Sequence, residues 1–283
     1  MRIVRTVSDM RAAVRAVRAE GASIGLVPTM GAFHEGHLSL MRRAREASDV
    51  VVVSLFVNPT QFGANEDLGS YPRDEARDAA LAEEAGADIL FAPPVSEMYP
   101  DGFATTIHVS GITDVLCGAH RGPHHFDGVA TVVAKLLSIV TPDVAFFGQK
   151  DAQQVLVVRR LVRDLDLPVR IEACPIVREP DGLAMSSRNV YLDAAARAQA
   201  TALNRALTAA EDLAARGERD GAALLAAARS VLADAGIEPE YLELRDAEHL
   251  RPLLRVDRDA LLAVAARVGA ARLIDNRILK GES

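Results

Sequence analysis

A chain of 283 residues, 49% apolar, can build one large core or two modest ones, and its two cysteines are too few for a disulfide framework. Asp and Glu outnumber Lys and Arg 39 to 32, giving a formal charge of −7 with no long basic run, which argues against generic nucleic-acid binding. No apolar run approaches the roughly 18 residues that span a bilayer, and the opening Met1-Arg-Ile-Val-Arg-Thr6 has no secretory apolar segment, so a cytoplasmic protein away from membranes is expected.

In chain order, Val7, Met10, Val14 and Val17 fall at helical spacing, with Ser8 or Asp9 as the expected cap. The apolar run from Ile24 reads as a buried strand broken by Pro28 and Gly31. A helix starts at Gly36, with Leu38, Leu40 and Met41 on one side. His34 and His37 lie three apart where turn meets helix, so they share a face beside free N–H groups and the positive dipole end. That combination predicts a phosphate site. Residues 49–57 are β-branched and apolar on both faces, as in a central strand of a covered parallel sheet. They run into Asn58-Pro-Thr-Gln-Phe-Gly63. Ligands sit beyond the carboxyl ends of such strands, so Asn58 and Gln61 read either as substrate-facing amides or as a capped turn.

A helix over 74–86 and a short strand over 87–91 follow, and Pro93-Pro94 ends the strand. Residues 95–125 read as irregular. They hold Cys117, His120, His124 and His125, but the spacings are loose and there is no Cys-x-x-Cys. A cover loop presenting Arg121 to an anion is the favoured reading. Residues 128–140 are helical and 144–147 a strand. Gly148-Gln-Lys-Asp151 then leads into a helix at Ala152, repeating the strand, glycine, helix arrangement with Lys150 as a point charge for phosphate. Residues 169–173 form another strand, extended by Ile176-Val177. In Asp181-Gly-Leu-Ala-Met-Ser-Ser-Arg-Asn189, two hydroxyls and a guanidinium suit phosphate and a loop that closes over a nucleotide. Beyond about residue 177 the composition shifts. Residues 193–235 read as two Ala- and Arg-rich helices broken near Gly217, and 241–245, 260–266 and 271–278 read as strands of a small antiparallel sheet.

The His-x-x-His pair resembles the signature of the nucleotidylyltransferase superfamily. Four stretches in order are similar to the pantoate–β-alanine ligase family: Pro28-Thr-Met-Gly-Ala-Phe-His-Glu-Gly-His37, Val57-Asn-Pro-Thr-Gln-Phe-Gly63, Phe146-Phe-Gly-Gln-Lys-Asp-Ala-Gln-Gln154 and the stretch from Asp181 to Asn189. Weaker C-terminal resemblance includes Tyr241-Leu-Glu-Leu-Arg-Asp246 and Arg272-Leu-Ile-Asp-Asn276. The resemblance implies an α/β fold. A Rossmann-like parallel-sheet domain over 1–176 would bind nucleotide and pantoate, and a smaller α+β domain over 177–283 would close over the ATP site. It implies ATP-dependent joining of (R)-pantoate to β-alanine through a pantoyl adenylate, with Mg2+, in a homodimer.

By the same resemblance, Met30, Gly31, His34, His37, Gly148, Gln149, Lys150, Asp151, Val177, Met185, Ser186, Ser187 and Arg188 form the ATP site. His34, His37 and Lys150 would be catalytic, with His37 as acid or as hydrogen-bond donor to phosphate. Gln61, Gln154, Asn58 and Arg121 would meet pantoate and β-alanine, and Asp78 would be a magnesium-associated carboxylate. Gln149 stands where the family often has Glu, Ala152 where an aromatic is common, and the run from Arg121 to Phe126 is one residue longer than usual.

Overall fold

In the computed structural model, which describes residues 1–63, 66 and 68–281, the N-terminal half is a six-stranded parallel sheet. Its strands are β1 (Arg2–Val4), β2 (Ile24–Thr29), β3 (Val50–Leu55), β4 (Ile89–Phe91), β5 (Val144–Gly148) and β6 (Arg170–Cys174), in the order β1-β4-β3-β2-β5-β6. The helices between them are α1 (Val7–Ala19), α2 (Glu35–Ala47), α3 (Glu75–Glu84), α4 (Val95–Met98), α5 (Cys117–Arg121), α6 (Pro123–Val140) and α7 (Ala152–Asp164). Strand periodicity explains the layering. Ile24, Leu26, Val52, Ala145 and Phe147 pack with α1, α6 and α7. Val27, Val51, Val53, Val144 and Phe146, which point the other way, pack with α2 and α3. Both faces are therefore covered, as the β-branched runs require.

The C-terminal part has α8 (Ala194–Ala215), α9 (Gly221–Asp234) and an antiparallel sheet β7 (Tyr241–Asp246), β8 (Ala260–Val268), β9 (Ala271–Leu279). Strand β8 is buried on both sides. Ala260, Leu262, Val264 and Ala266 face α8 and α9, whereas Leu261, Ala263 and Ala265 join the core that contains α6 and α7.

Several expectations are corrected. Arg2–Val4 is an edge strand too short to show a pattern, and α1 is capped by Thr6, whose side chain accepts from Asp9 N, rather than by Ser8 or Asp9. Strand β6 stops at Cys174 because Pro175 cannot donate to the ladder, so Ile176 and Val177 lie outside it. The stretch read as irregular contains α4 and α5, and α6 begins at Pro123, a favoured first helical residue.

Candidate active site

Strand connections run one way from β2 through β3 and the other way through β5, so the switch point lies between β2 and β5. A crevice opens there beyond the carboxyl ends of the strands. It is a cavity of about 270 Å³, closed on its far side by the 175–188 segment and by β9.

The turn after β2 is shaped by backbone and carboxylate together. Gly31 has φ of +90°, and a Cβ there would lie 2.7 Å from the Leu55 side chain and 2.9 Å from Asp78 Oδ2, so only glycine fits. Ala32 N–H donates to Asp78 Oδ2 and Phe33 N–H to Asp78 Oδ1, both at 2.8 Å. Asp78 is 1% exposed and does not line the cleft. The carboxylate expected beside magnesium therefore holds this turn through both oxygens and lies behind the cleft wall.

His34 caps α2 through Nδ1, which accepts from Gly36 N–H at 3.1 Å, and His37 Nδ1 accepts from His34 N–H at 3.4 Å. These bonds fix the same tautomer in both rings and leave each Nε2–H as a donor. Burial lowers the His34 pKa to about 4, assisted by the Lys150 charge. Burial, His34 and Lys150 lower that of His37 to about 3. Both imidazoles are neutral donors at physiological pH.

The turn after β5 carries Gly148, Lys150 and Asp151 into the same cleft. It is held by β9: Asn276 Nδ2 donates to the carbonyls of Gln149 at 2.9 Å and Lys150 at 3.0 Å, and Asn276 Oδ1 accepts from Gln149 Nε2 at 3.2 Å. The neighbouring Asp275, 3% exposed, receives both Nη groups of Arg178 at 2.7 and 2.9 Å. Arg178 pairs across a short hairpin with Ala184, just before Met185, Ser186, Ser187 and Arg188. Adjacent residues of one strand thus hold two of the segments that line the crevice.

Gln61 ends a short 3-10 turn (Pro59–Gln61) beyond β3. Asn58 Nδ2 donates to Gln61 Oε1 at 3.0 Å and to Gly128 O at 3.1 Å, while Asn58 Oδ1 accepts from Tyr99 Oη at 2.8 Å. Asn58 Oδ1 also accepts from Thr60 N–H, so Asn58 caps this turn and orients Gln61, and both amides line the cleft. Gly128 permits this approach, since a Cβ there would meet Thr60 O at 2.6 Å. Arg121 lines the cleft, but Glu66 grips it at 2.5 and 2.7 Å, and it donates to His125 Nε2 at 3.0 Å. Burial alone would raise Glu66, yet the Arg121 guanidinium overrides it and lowers the pKa to about 2. Burial and Arg121 lower His125 to about 4, and its Nδ1–H donates to Gln61 O.

Of the expected site residues, Met30, His34, His37, Asn58, Gln61, Arg121, Gly148, Lys150, Asp151, Gln154, Val177, Met185, Ser186, Ser187 and Arg188 converge on one cleft. Gly31, Asp78 and Gln149 do not line it and serve its walls instead. Sequence reasoning missed Asn276, Asp275 and Arg178 as supports. The available signal was the polar run Asp275-Asn276-Arg277 in the middle of a strand bounded by Leu273, Ile274, Ile278 and Leu279.

These features define a class: a doubly wound α/β protein with a crevice at its switch point, lined by two helix-capping histidines and a strand-end lysine. The sequence profile described as "Pantoate-beta-alanine ligase" matches residues 2–278. The pantothenate synthetase of Roseiflexus castenholzii is 56% identical over 281 residues, 99% of this chain and 100% of that protein. That of Geobacter sulfurreducens is 52% identical over 283 residues, all of both chains. The crystal structure of pantothenate synthetase from Thermus thermophilus superposes with a TM-score of 0.94 at 50% identity, covering 99% of this chain and 100% of that one. That of the Francisella tularensis pantoate-beta-alanine ligase, complexed with beta-gamma ATP and beta-alanine, gives 0.82 at 33% identity, covering 98% and 97%. The chain belongs to the pantoate–β-alanine ligase family, and it is an enzyme that condenses pantoate with β-alanine in an ATP-dependent reaction.

Proposed function

We propose that the condensation runs in two steps in the cleft described above. A pantoate carboxylate oxygen attacks the α-phosphorus of ATP and pyrophosphate leaves, giving pantoyl adenylate. The β-alanine amine then attacks the acyl carbon, AMP leaves, and the amine proton goes to solvent. The carrying observation is the convergence of His34, His37, Lys150, Ser186, Ser187 and Arg188 on one crevice. All are donors or cations, and none is an activated nucleophile. That set suits dispersal of charge between carboxylate and triphosphate, with no covalent enzyme intermediate.

In this reading the neutral His34 and His37 donate Nε2–H to phosphate oxygens, and Lys150 supplies the positive charge. Depressed pKa values favour donation over acid catalysis for His37. Met30, Gly148, Val177 and Met185 form the nucleotide walls. Gln61, oriented by Asn58, and Gln154 bind pantoate, with Arg121 at the acceptor end. β-Alanine and ATP binding is supported by the complex of the Francisella relative. Mg2+ would enter with ATP, held chiefly by phosphate oxygens, and would neutralise charge there. Among the described residues no group of three metal-ligating side chains exists. Asp151 is the cleft carboxylate that fits the ion, being exposed and without an ion pair among the described residues.

The division into a 1–176 nucleotide- and pantoate-binding domain and a 177–283 domain that closes over ATP is supported by the separate core of α8, α9 and one face of the small sheet. A homodimer is supported by residues 104–108, a largely exposed run with no strand partner among the described residues, suited to pairing with a second copy. A cytoplasmic setting, expected from the composition, belongs to the same reading. No helix among the described residues is long and apolar enough to cross a membrane. The test is exchange of labelled pyrophosphate into ATP with pantoate and magnesium but no β-alanine. Exchange is expected. Its absence in an enzyme that still forms pantothenate would overturn the adenylate.

A further inference from the structure

A second cavity, about 810 Å³, opens between α7 and the loop that joins β7 to β8. The turn Gln149–Asp151 separates it from the catalytic crevice: Lys150 lines the crevice, and Gln149 lines this groove. Five arginines converge on it, Arg159, Arg160 and Arg163 from α7 and Arg251 and Arg258 from the facing loop. This is unexpected in a chain of net charge −7. The acidic residues of the groove do not balance them. Three carboxylates face the five guanidiniums: Asp246 accepts backbone N–H groups of Glu248, His249 and Arg251, Asp259 accepts from Lys280 Nζ at 2.7 Å, and the exposed Glu248 lies 4.0 Å from His249 Nε2. Arg163 and Arg258 pair with their sequence neighbours Asp164 and Asp257, outside the groove. Arg159, Arg160 and Arg251 have no carboxylate partner among the described residues. His249 adds a buried Nδ1 with no hydrogen-bond partner.

A solvated helix face would spread such charges outward. Here arginines of two elements face one cavity whose floor is the apolar Val155, Leu156, Leu261 and Ile278. From this we propose a second, non-catalytic ligand site that takes a small molecule bearing two or more linked phosphate groups. A lone carboxylate satisfies one guanidinium fork, whereas a phosphate chain supplies oxygens for three. The volume is that of a nucleotide-sized ligand. The site is independent of the adenylate reading, because it needs neither the crevice nor turnover.

The experiment is titration calorimetry on the full-length enzyme with its crevice saturated by a non-hydrolysable ATP analogue. Inorganic tripolyphosphate is then added, and in a second arm the analogue itself is carried past one equivalent per chain. A further saturable equivalent is expected. Tripolyphosphate alone producing it identifies the phosphate chain as the ligand, and the analogue producing it identifies a nucleotide. In the Arg159→Ala/Arg160→Ala/Arg251→Ala variant this binding weakens by at least about tenfold, the size of one lost charged contact, while turnover and Tm stay at wild-type values. Should the triple variant fail to fold, Arg251→Ala alone is expected to weaken it in the same direction. The absence of a further equivalent with either probe, or undiminished binding in the folded variant, overturns the proposal.

Discussion

The two strand-to-helix turns that face the crevice look alike in sequence and are held in opposite ways. The turn after β2 is anchored within its own half of the molecule, by Asp78 at the start of α3. The turn after β5 is anchored from the C-terminal sheet, by Asn276 of β9. The first can therefore be formed by the parallel-sheet half alone, together with its two histidines. The second places its carbonyls, and so its lysine, only when the C-terminal sheet is docked. In the proposed two-step reaction, a site that binds ATP and then releases pyrophosphate and AMP gains from one fixed wall and one wall tied to a second element.

The comparison breaks most sharply at the charges themselves. Lys150→Ala removes the cation of the second turn and is expected to lower kcat/KM for ATP by about a thousandfold, with His37→Ala on the first turn costing on the order of a hundredfold. Steady-state kinetics on folded variants checks both, and unchanged turnover would remove either residue from the mechanism. Asp78→Ala strips a buried carboxylate from two backbone donors and should cost about 3 kcal/mol of stability, at ~1.5 kcal/mol per charge-assisted bond. Urea unfolding reads it, and an unshifted midpoint would mean that the first turn holds itself.

A smaller effect tests the second anchor. Asn276→Ala should raise KM for ATP about tenfold through lost orientation of Lys150. ATP affinities measured in the Lys150→Ala background should then show little further loss, since residues that act through one another are not additive. Additive losses would separate Asn276 from Lys150.

The smallest effect, a pH dependence of stability, belongs to the two histidines of the first turn and to His125 of α6. In the folded state His34 and His125 have pKa values of about 4 and His37 about 3, below the ordinary value of 6.5. Between these limits the unfolded chain binds more protons than the folded one, so stability is full above pH ~6.5 and declines as pH falls toward 4. Urea midpoints are expected to be lower at pH 5.5 than at 7.5. In the His37→Ala variant, which lacks one of these groups, the decline should be shallower.

Local sequence determined much of this protein. Unbroken β-branched runs such as 50–53 require a sheet covered on both faces, and the element order found in the parallel half follows from alternating strand and helix periods. That His34, His37, Lys150 and the Ser186–Arg188 run would share one crevice was legible because donors at strand ends and helix starts are local features. Tertiary structure decided the supports. Asp78 reaches back 46 residues to Ala32, Asn276 reaches 126 residues to Lys150, and Asn58 is committed by Gly128 and Tyr99. A buried carboxylate or amide is specified by which backbone groups lack partners once the chain is folded, and no spacing in the sequence encodes that. The same holds for the arginine groove, where α7 reads as an ordinary solvated helix until the β7–β8 loop faces it.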